Sequence, residues 1–208
     1  MPPPSTLQGV LRAALGQGPA DPLPELFLSA RPLKLQRSLF QTTNYLFIKE
    51  GRREELRGLY KEGRTQIPVQ FLVGEEGVPL AFEVFVASED LGLIEKLVVA
   101  MDNPAYPLSL GPAFALAWAE ELALLEGELQ KGWRGEGIGW WEVSRLQLKN
   151  LPVGLRLYRD RFPVAIEAGR VPTRVEELAL EMSGAQIPVI YEGEVLRIGE
   201  QAVGVVRA

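Results

Sequence analysis

The chain contains no cysteine and no histidine. Without Cys it has neither a disulfide framework nor a thiolate nucleophile. Without His it lacks the side chain that titrates nearest neutrality and the commonest metal ligand. Zinc sites of the usual kind, Ser-His-Asp triads and imidazole-based ribonuclease chemistry are therefore excluded. Glu, Asp, Lys and Tyr remain as potential catalytic groups. No run approaches the ~18 consecutive apolar residues that a membrane helix needs. No basic stretch followed by an apolar run opens the chain, so the sequence predicts no secretory signal and a cytoplasmic protein. Asparagine is scarce while Arg, Glu, Leu and Pro are plentiful, a composition that fits a thermophilic or GC-rich source.

What is present suits a globular protein. The 208 residues are 47% apolar and 24% charged, enough for one large domain or two small ones with a sizeable core. Net charge is −5, but it is unevenly spread. Arg31, Lys34, Arg37, Lys49, Arg52, Arg53, Arg57, Lys61 and Arg64 face only four Glu between positions 31 and 64. Residues 65–130 then carry one Lys against eleven acids. Such asymmetry fits one face for an anion and another for solvent or basic neighbours. Two solvated surfaces would account for it equally well.

Three prolines, Pro2 to Pro4, lead into "STLQGVLRAALG", whose Leu7, Val10, Leu11, Ala14 and Leu15 share one helical face. Ser5 or Thr6 is the expected N-cap and Gly16 the stop. "SLFQTTNYLFIKE", "TQIPVQFLVG" and "VPLAFEVFVAS" read as strands, the last two around the turn "GEEG". "GRREELRGLYKEG" has helical character. Ser88 is the expected cap of a second helix, "SEDLGLIEKLVVAM", with Glu89 and Asp90 favourably placed for its dipole. "AFALAWAEELALLEGELQ" has strong helix propensity, and "KGWRGEGIGWWEVSRLQLK" reads as a Gly- and Trp-rich loop leading into a strand. "GLRLYRDRFPVAIE" and the C-terminal stretch from Gln186 read as further strands. Two helices on one side of an antiparallel sheet make an α+β fold.

Three stretches carry a family resemblance. "PPPSTLQGVLRAALG" (2–16), "GRTQIPVQFLVG" (63–74) and "NPAYPLSLGPAFALAW" (103–118) occur in the order of similar segments in the Cas-five family. That family is the RAMP-superfamily subunit of type I CRISPR Cascade complexes. The resemblance implies a ferredoxin-like (RRM-like) RAMP domain over 1–130, with a C-terminal antiparallel β region over 131–208 packed on it. It implies a non-catalytic subunit that binds the 5′ handle of crRNA and contacts the backbone-forming RAMP subunit and the large subunit. It also makes "AFALAW" the end of a strand. The family's first strand precedes the Pro-Pro-Ser-Thr entry and is expected to be missing here. Subtype I-C members cleave precursor RNA with Tyr, Lys and His, a site that a chain without His cannot inherit. After Gly111 many members carry Arg where this chain has Pro112.

Single-stranded RNA calls for cations along its backbone and flat side chains under its bases. Arg31, Lys34, Arg37 and Arg64 are the candidates for phosphates, and Tyr45, Trp133, Trp140 and Trp141 for stacking. Tyr45 reads more simply as a core residue of its strand. For Trp140 and Trp141, adjacent strand positions predict one buried and one exposed ring. The Ser5–Thr6 turn is a further phosphate candidate, because backbone N–H groups at a helix N-terminus attract anions. "WRGEGIGWW" lacks the Lys-Ser/Thr of a P-loop and is rejected as a nucleotide site. Glu54–Glu55 and Glu120–Glu121 read as solvated helix charges. No metal, cofactor or membrane partner is expected. Two other functions stay open: a RAMP-type endoribonuclease using Tyr60 or Lys61, and a protein-interaction module that binds no nucleic acid.

Overall fold

Proline sets the start of the first helix. In the computed structural model α1 spans Pro4–Ala14, with extended Pro3 as its N-cap and no side-chain capping bond. The structure describes residues 2–18, 21, 23–33, 37–46, 64–74, 78–111, 115–148, 151–166 and 171–208. Capping by Ser5 or Thr6 is thus corrected. Pro4 at N1 has no N–H to satisfy and its fixed φ preorganises the turn. The carbonyl of Pro3 accepts from Thr6 N at 2.9 Å and Leu7 N at 3.2 Å. Ser5 instead joins the buried face with Leu7, Val10, Leu11 and Ala14. Leu15 is the C-cap, and Gly16 follows it at φ 71°.

Strands follow: β1 (Phe27–Pro32), β2 (Arg37–Leu46), β3 (Arg64–Val73) and β4 (Phe82–Ala87). Helix α2 (Leu91–Asp102) leads to the short β5 (Leu108–Ser109) and β6 (Leu116–Ala117). Next come β7 (Glu128–Gly139), β8 (Trp141–Glu142), a single 3-10 turn (Val143–Arg145) and β9 (Leu146–Leu148). The chain closes with β10 (Leu157–Ile166), β11 (Pro172–Glu181), β12 (Ile187–Ile198), β13 (Gln201–Gly204) and β14 (Val206–Arg207). Two helices and several sheets make a mixed α+β fold dominated by strands. No helix among the described residues is long and apolar enough to cross a membrane.

The chain divides into two units, Met1–Leu35 with Ala81–Ala208, and Gln36–Leu80. In the smaller unit β2 and β3 pair antiparallel in unbroken register, from Arg37 opposite Val73 to Leu46 opposite Arg64. The strands expected on either side of "GEEG" both exist, but they pair in different sheets. β3 lies on β2, whereas β4 runs antiparallel to β1, Phe27 opposite Ala87 and Pro32 opposite Phe82. The helical character of "GRREELRGLYKEG" falls at 51–63, outside the described residues.

In the larger unit β1 is central, between β14 and β4. Its Leu28 and Ala30 enter a core with Leu7, Leu11, Leu93, Leu97, Val164 and Leu178, while Phe27 enters another with Ile138, Leu196 and Val203. Both faces of β1 are covered, so even Ser29, between Leu28 and Ala30, is fully buried. Helix α2 is capped by Asp90, not Ser88: the Asp90 carboxylate accepts from Leu93 N at 3.1 Å. Ser88 Oγ accepts instead from Asp90 N at 3.2 Å, holding the cap itself.

The Gly-rich stretch expected as a loop is β7, paired along most of its length with β12. Two of its glycines make room for neighbouring side chains. A Cβ on Gly137 would lie 2.7 Å from the Trp141 ring, and one on Gly139 would strike Ser29 Oγ. Trp140 and Trp141 do point to opposite faces, but both are buried, at 1% and 0% exposure. The expected exposed ring is corrected because each face meets its own core. Trp140 packs among Leu28, Leu97 and Val206, and Trp141 among Val189, Tyr191 and Ala202. The helix propensity of "AFALAWAEELALLEGELQ" is also overridden: β6 occupies two residues, β7 begins at Glu128, and 118–127 form no regular structure.

Candidate nucleic-acid interface

Two of the three motif stretches meet in space. Ala105 N donates to Ala14 O at 3.0 Å and Tyr106 N to Ala13 O at 3.2 Å, so the proline loop satisfies carbonyls of the last turn of α1. Leu108 packs beneath this joint with Val10 and Ala14. Tyr106 itself stays exposed.

The candidate phosphate and stacking residues occupy different environments. Ser5 is buried at the start of α1, next to Thr6. Arg31 is half-buried on β1; its Nε donates to Glu83 on β4 at 2.5 Å and a terminal nitrogen reaches Gly184 O at 3.5 Å. That ion pair bridges paired strands, Arg31 standing opposite Glu83 in the register. Trp133 on β7 is half-buried, its indole N–H donating to Glu136 O at 3.0 Å while the ring leans on Gly135. Arg37 and Arg64 stand nine register steps apart on β2 and β3, about 30 Å at strand rise. Tyr45 pairs with Thr65 and so lies beside the Arg64 end. Lys34 and Pro112 lie outside the described residues.

A polar cleft of about 540 Å³ opens in the larger unit, lined by Lys131, Glu142, Arg145, Arg174, Glu194 and Arg207 among others. Each carboxylate in it has a guanidinium partner. Arg145 Nε lies 3.1 Å from Glu142 Oε2, Arg207 3.1 Å from Glu194 Oε1, and Arg174 3.6 Å from Glu176 Oε1. Such partly exposed pairs contribute little stability individually, but they fix the cations at the rim. Burial pushes the Glu142 carboxyl up from its ordinary value; Arg145 pulls it down, and Glu176 and Glu194 push it up further. Lys131 has no ion-pair partner among the described residues, which leaves the cleft one cation in excess. Sequence reasoning passed over these cations because they sit on β7, the 3-10 turn, β11 and β14, far apart along the chain.

No family model matches the chain. No curated protein matches it either. Among solved structures it is similar to a chain titled "CRISPR RNA-guided surveillance complex", at 15% identity and a TM-score of 0.46, covering 90% of this chain and 80% of that one.

Other polar groups of the larger unit are firmly held. The Tyr191 hydroxyl accepts from Glu142 N at 3.4 Å, and its ring meets Trp141 edge-on at 5.1 Å between centroids. Burial first, and the nearby Glu142 charge second, raise the Tyr191 phenol to about 12. Glu181, nearly fully buried, accepts from Arg156 N, Ser183 N, Ser183 Oγ and Ala185 N at 2.6–3.1 Å. Four donors on one carboxylate make it a loop anchor rather than an acid or base awaiting substrate. No group of three or more potential ligands among the described residues is arranged to hold a metal ion.

Proposed function

We propose that this chain is a non-catalytic, RNA-binding subunit of a CRISPR Cascade assembly, gripping the 5′ handle of the guide RNA beside other protein subunits. On this reading α1, β1, β4 and α2 belong to a ferredoxin-like RAMP core, and the β2–β3 pair is the hairpin inserted in it. The observation that carries the reading is the ordered set of three motifs. Its first and third members, some ninety residues apart in sequence, are joined by the Ala14–Ala105 hydrogen bond. The shared joint gives the two motifs a common structural role, which supports reading them together. The basic run from Arg31 to Arg64, together with the cleft cations, supplies the positive charge that an RNA backbone needs.

The test incubates labelled repeat RNA with the purified chain and with the assembly isolated from its source, then crosslinks with ultraviolet light. The reading expects a crosslink inside the assembly and intact RNA throughout. Cleavage by the pure chain would instead favour an endoribonuclease using Tyr60 or Lys61. Absence of any crosslink within an RNA-containing assembly would overturn RNA binding altogether.

A further inference from the structure

Residues 118–127 connect β6 to β7 and contradict their own composition. Positions 119–126, Ala-Glu-Glu-Leu-Ala-Leu-Leu-Glu, are all drawn from the strongest helix formers. In the structure they take no regular form, and no backbone–backbone hydrogen bond joins any of 118–127 to the described residues. Trp118, Leu124 and Leu125 are more than half exposed and Leu122 is 41% exposed. Large apolar side chains concentrated this densely on a surface mark an interaction site rather than ordinary solvent exposure.

Ten residues explain the unwound state. A helix that short is marginal in water, because nucleation is costly and most helix stability comes from packing an apolar face. No described residue supplies that face here. Wound into a helix, the segment would put Trp118, Leu122 and Leu125 at i, i+4 and i+7, the spacing of anchors that enter a groove. Glu121 and Glu126 would flank this stripe.

Charge selects the kind of partner. Between 115 and 130 the chain has Glu120, Glu121, Glu126 and Glu128 and no Lys or Arg. None of these four acids makes an ion pair among the described residues; Glu120 only accepts the Trp118 indole N–H at 3.2 Å. Four unpaired negative charges beside an apolar stripe repel a nucleic-acid backbone and complement basic side chains. We propose that residues 118–127 are a docking segment that winds into an amphipathic helix in an apolar groove rimmed by Lys and Arg on a protein partner.

The test places a photo-crosslinking side chain at one anchor, Leu122→benzoylphenylalanine, in the full chain expressed in its source cells. The proposal expects an adduct with one protein, mapping to an apolar stretch flanked by Lys and Arg. Adding Glu120→Lys, Glu121→Lys and Glu126→Lys should lower adduct yield about tenfold. Thermal melting of the purified chain should not move, since these side chains make no ion pair among the described residues and the one bond of Glu120 is local and exposed. Amides of 118–127 should exchange as in a free chain when alone and be protected with helical spacing in the adduct. Adducts only with RNA, with this chain itself or with an acidic surface would overturn the proposal. So would no adduct, an adduct indifferent to the three Lys, or a docked segment whose amides stay unprotected. Guide RNA measured in the same preparations reports separately on the RNA-binding reading.

Discussion

Ala105 donates its backbone N–H to the carbonyl of Ala14 at 3.0 Å, closing a proline-rich loop onto the end of the first helix. The joint depends on packing below it, where Leu108 is 3% exposed against Val10 and Ala14. Leu108→Ala should therefore cost about 2–5 kcal/mol, as other buried Leu truncations do. Denaturant unfolding measures it. A change below ~1 kcal/mol would mean that the loop rests on its backbone hydrogen bonds alone.

Gly139 and Gly154 both adopt positive φ, 89° and 97°. Their surroundings differ. A Cβ on Gly139 would collide with Ser29 Oγ and come within 2.7 Å of Gly204 O, whereas one on Gly154 meets nothing within 4 Å. Gly154→Ala should cost only the conformational term of about 1–2 kcal/mol. Gly139→Ala should cost clearly more, because Ser29 Oγ must also keep accepting from Trp140 N at 3.1 Å. Equal melting shifts for the two variants would remove the steric argument.

Much of this architecture is legible in the sequence, and the exceptions share a cause. The buried face of α1 follows from apolar spacing at 7, 10, 11 and 14, and β2, β3 and β4 from β-branched and aromatic runs. These are local signals. The true caps, Pro3 and Asp90, are neighbours of the expected hydroxyls. Pro4 at N1 brings no N–H that needs a side-chain cap, and at α2 it is the Asp90 carboxylate that accepts from Leu93 N. β7 reads as a loop because Gly132, Gly135, Gly137 and Gly139 lower strand propensity. The purpose of Gly135 and Gly137 appears only when the Trp133 and Trp141 rings lie against them. The cleft cations, and the choice of β1 over β3 as partner for β4, are long-range pairings with no local trace. The unwound 118–127 departs from propensity for want of a surface to pack on.

The alkaline limb of stability should carry the signature of Tyr191. Burial, then Glu142, raises its phenol to about 12 from an ordinary value of 10.0. Because the folded-state value lies above the unfolded one, the contribution is complete below pH 10.0 and is lost as pH rises through about 12. Tyr158 is also raised to about 12, first by donating to Asp160 at 2.6 Å. Phenolate absorbance should therefore show late-ionising tyrosines, and melting temperature should fall across that interval. Tyr191→Phe should flatten the fall. An unchanged slope in that variant would assign alkaline unfolding to other groups.

Arg37 and Arg64 provide the sharpest trial of the basic segment. They sit at opposite ends of the β2–β3 pair, about 30 Å apart, so one phosphate cannot engage both. An RNA strand lying along the pair would meet them as two separate contacts. Each contact to a single strand adds about 0.7 to the slope of log affinity against log salt. Arg37→Gln with Arg64→Gln should therefore weaken single-stranded RNA binding by the full chain and flatten that slope by about 1.4. Glu120→Gln with Glu121→Gln removes two negative charges from the segment proposed for protein docking, and should leave the slope unchanged. Salt titrations of both double variants decide the matter. If they move the slope equally, the run of cations from 31 to 64 is a solvated surface, and the RNA contacts must be sought in the cleft around Lys131.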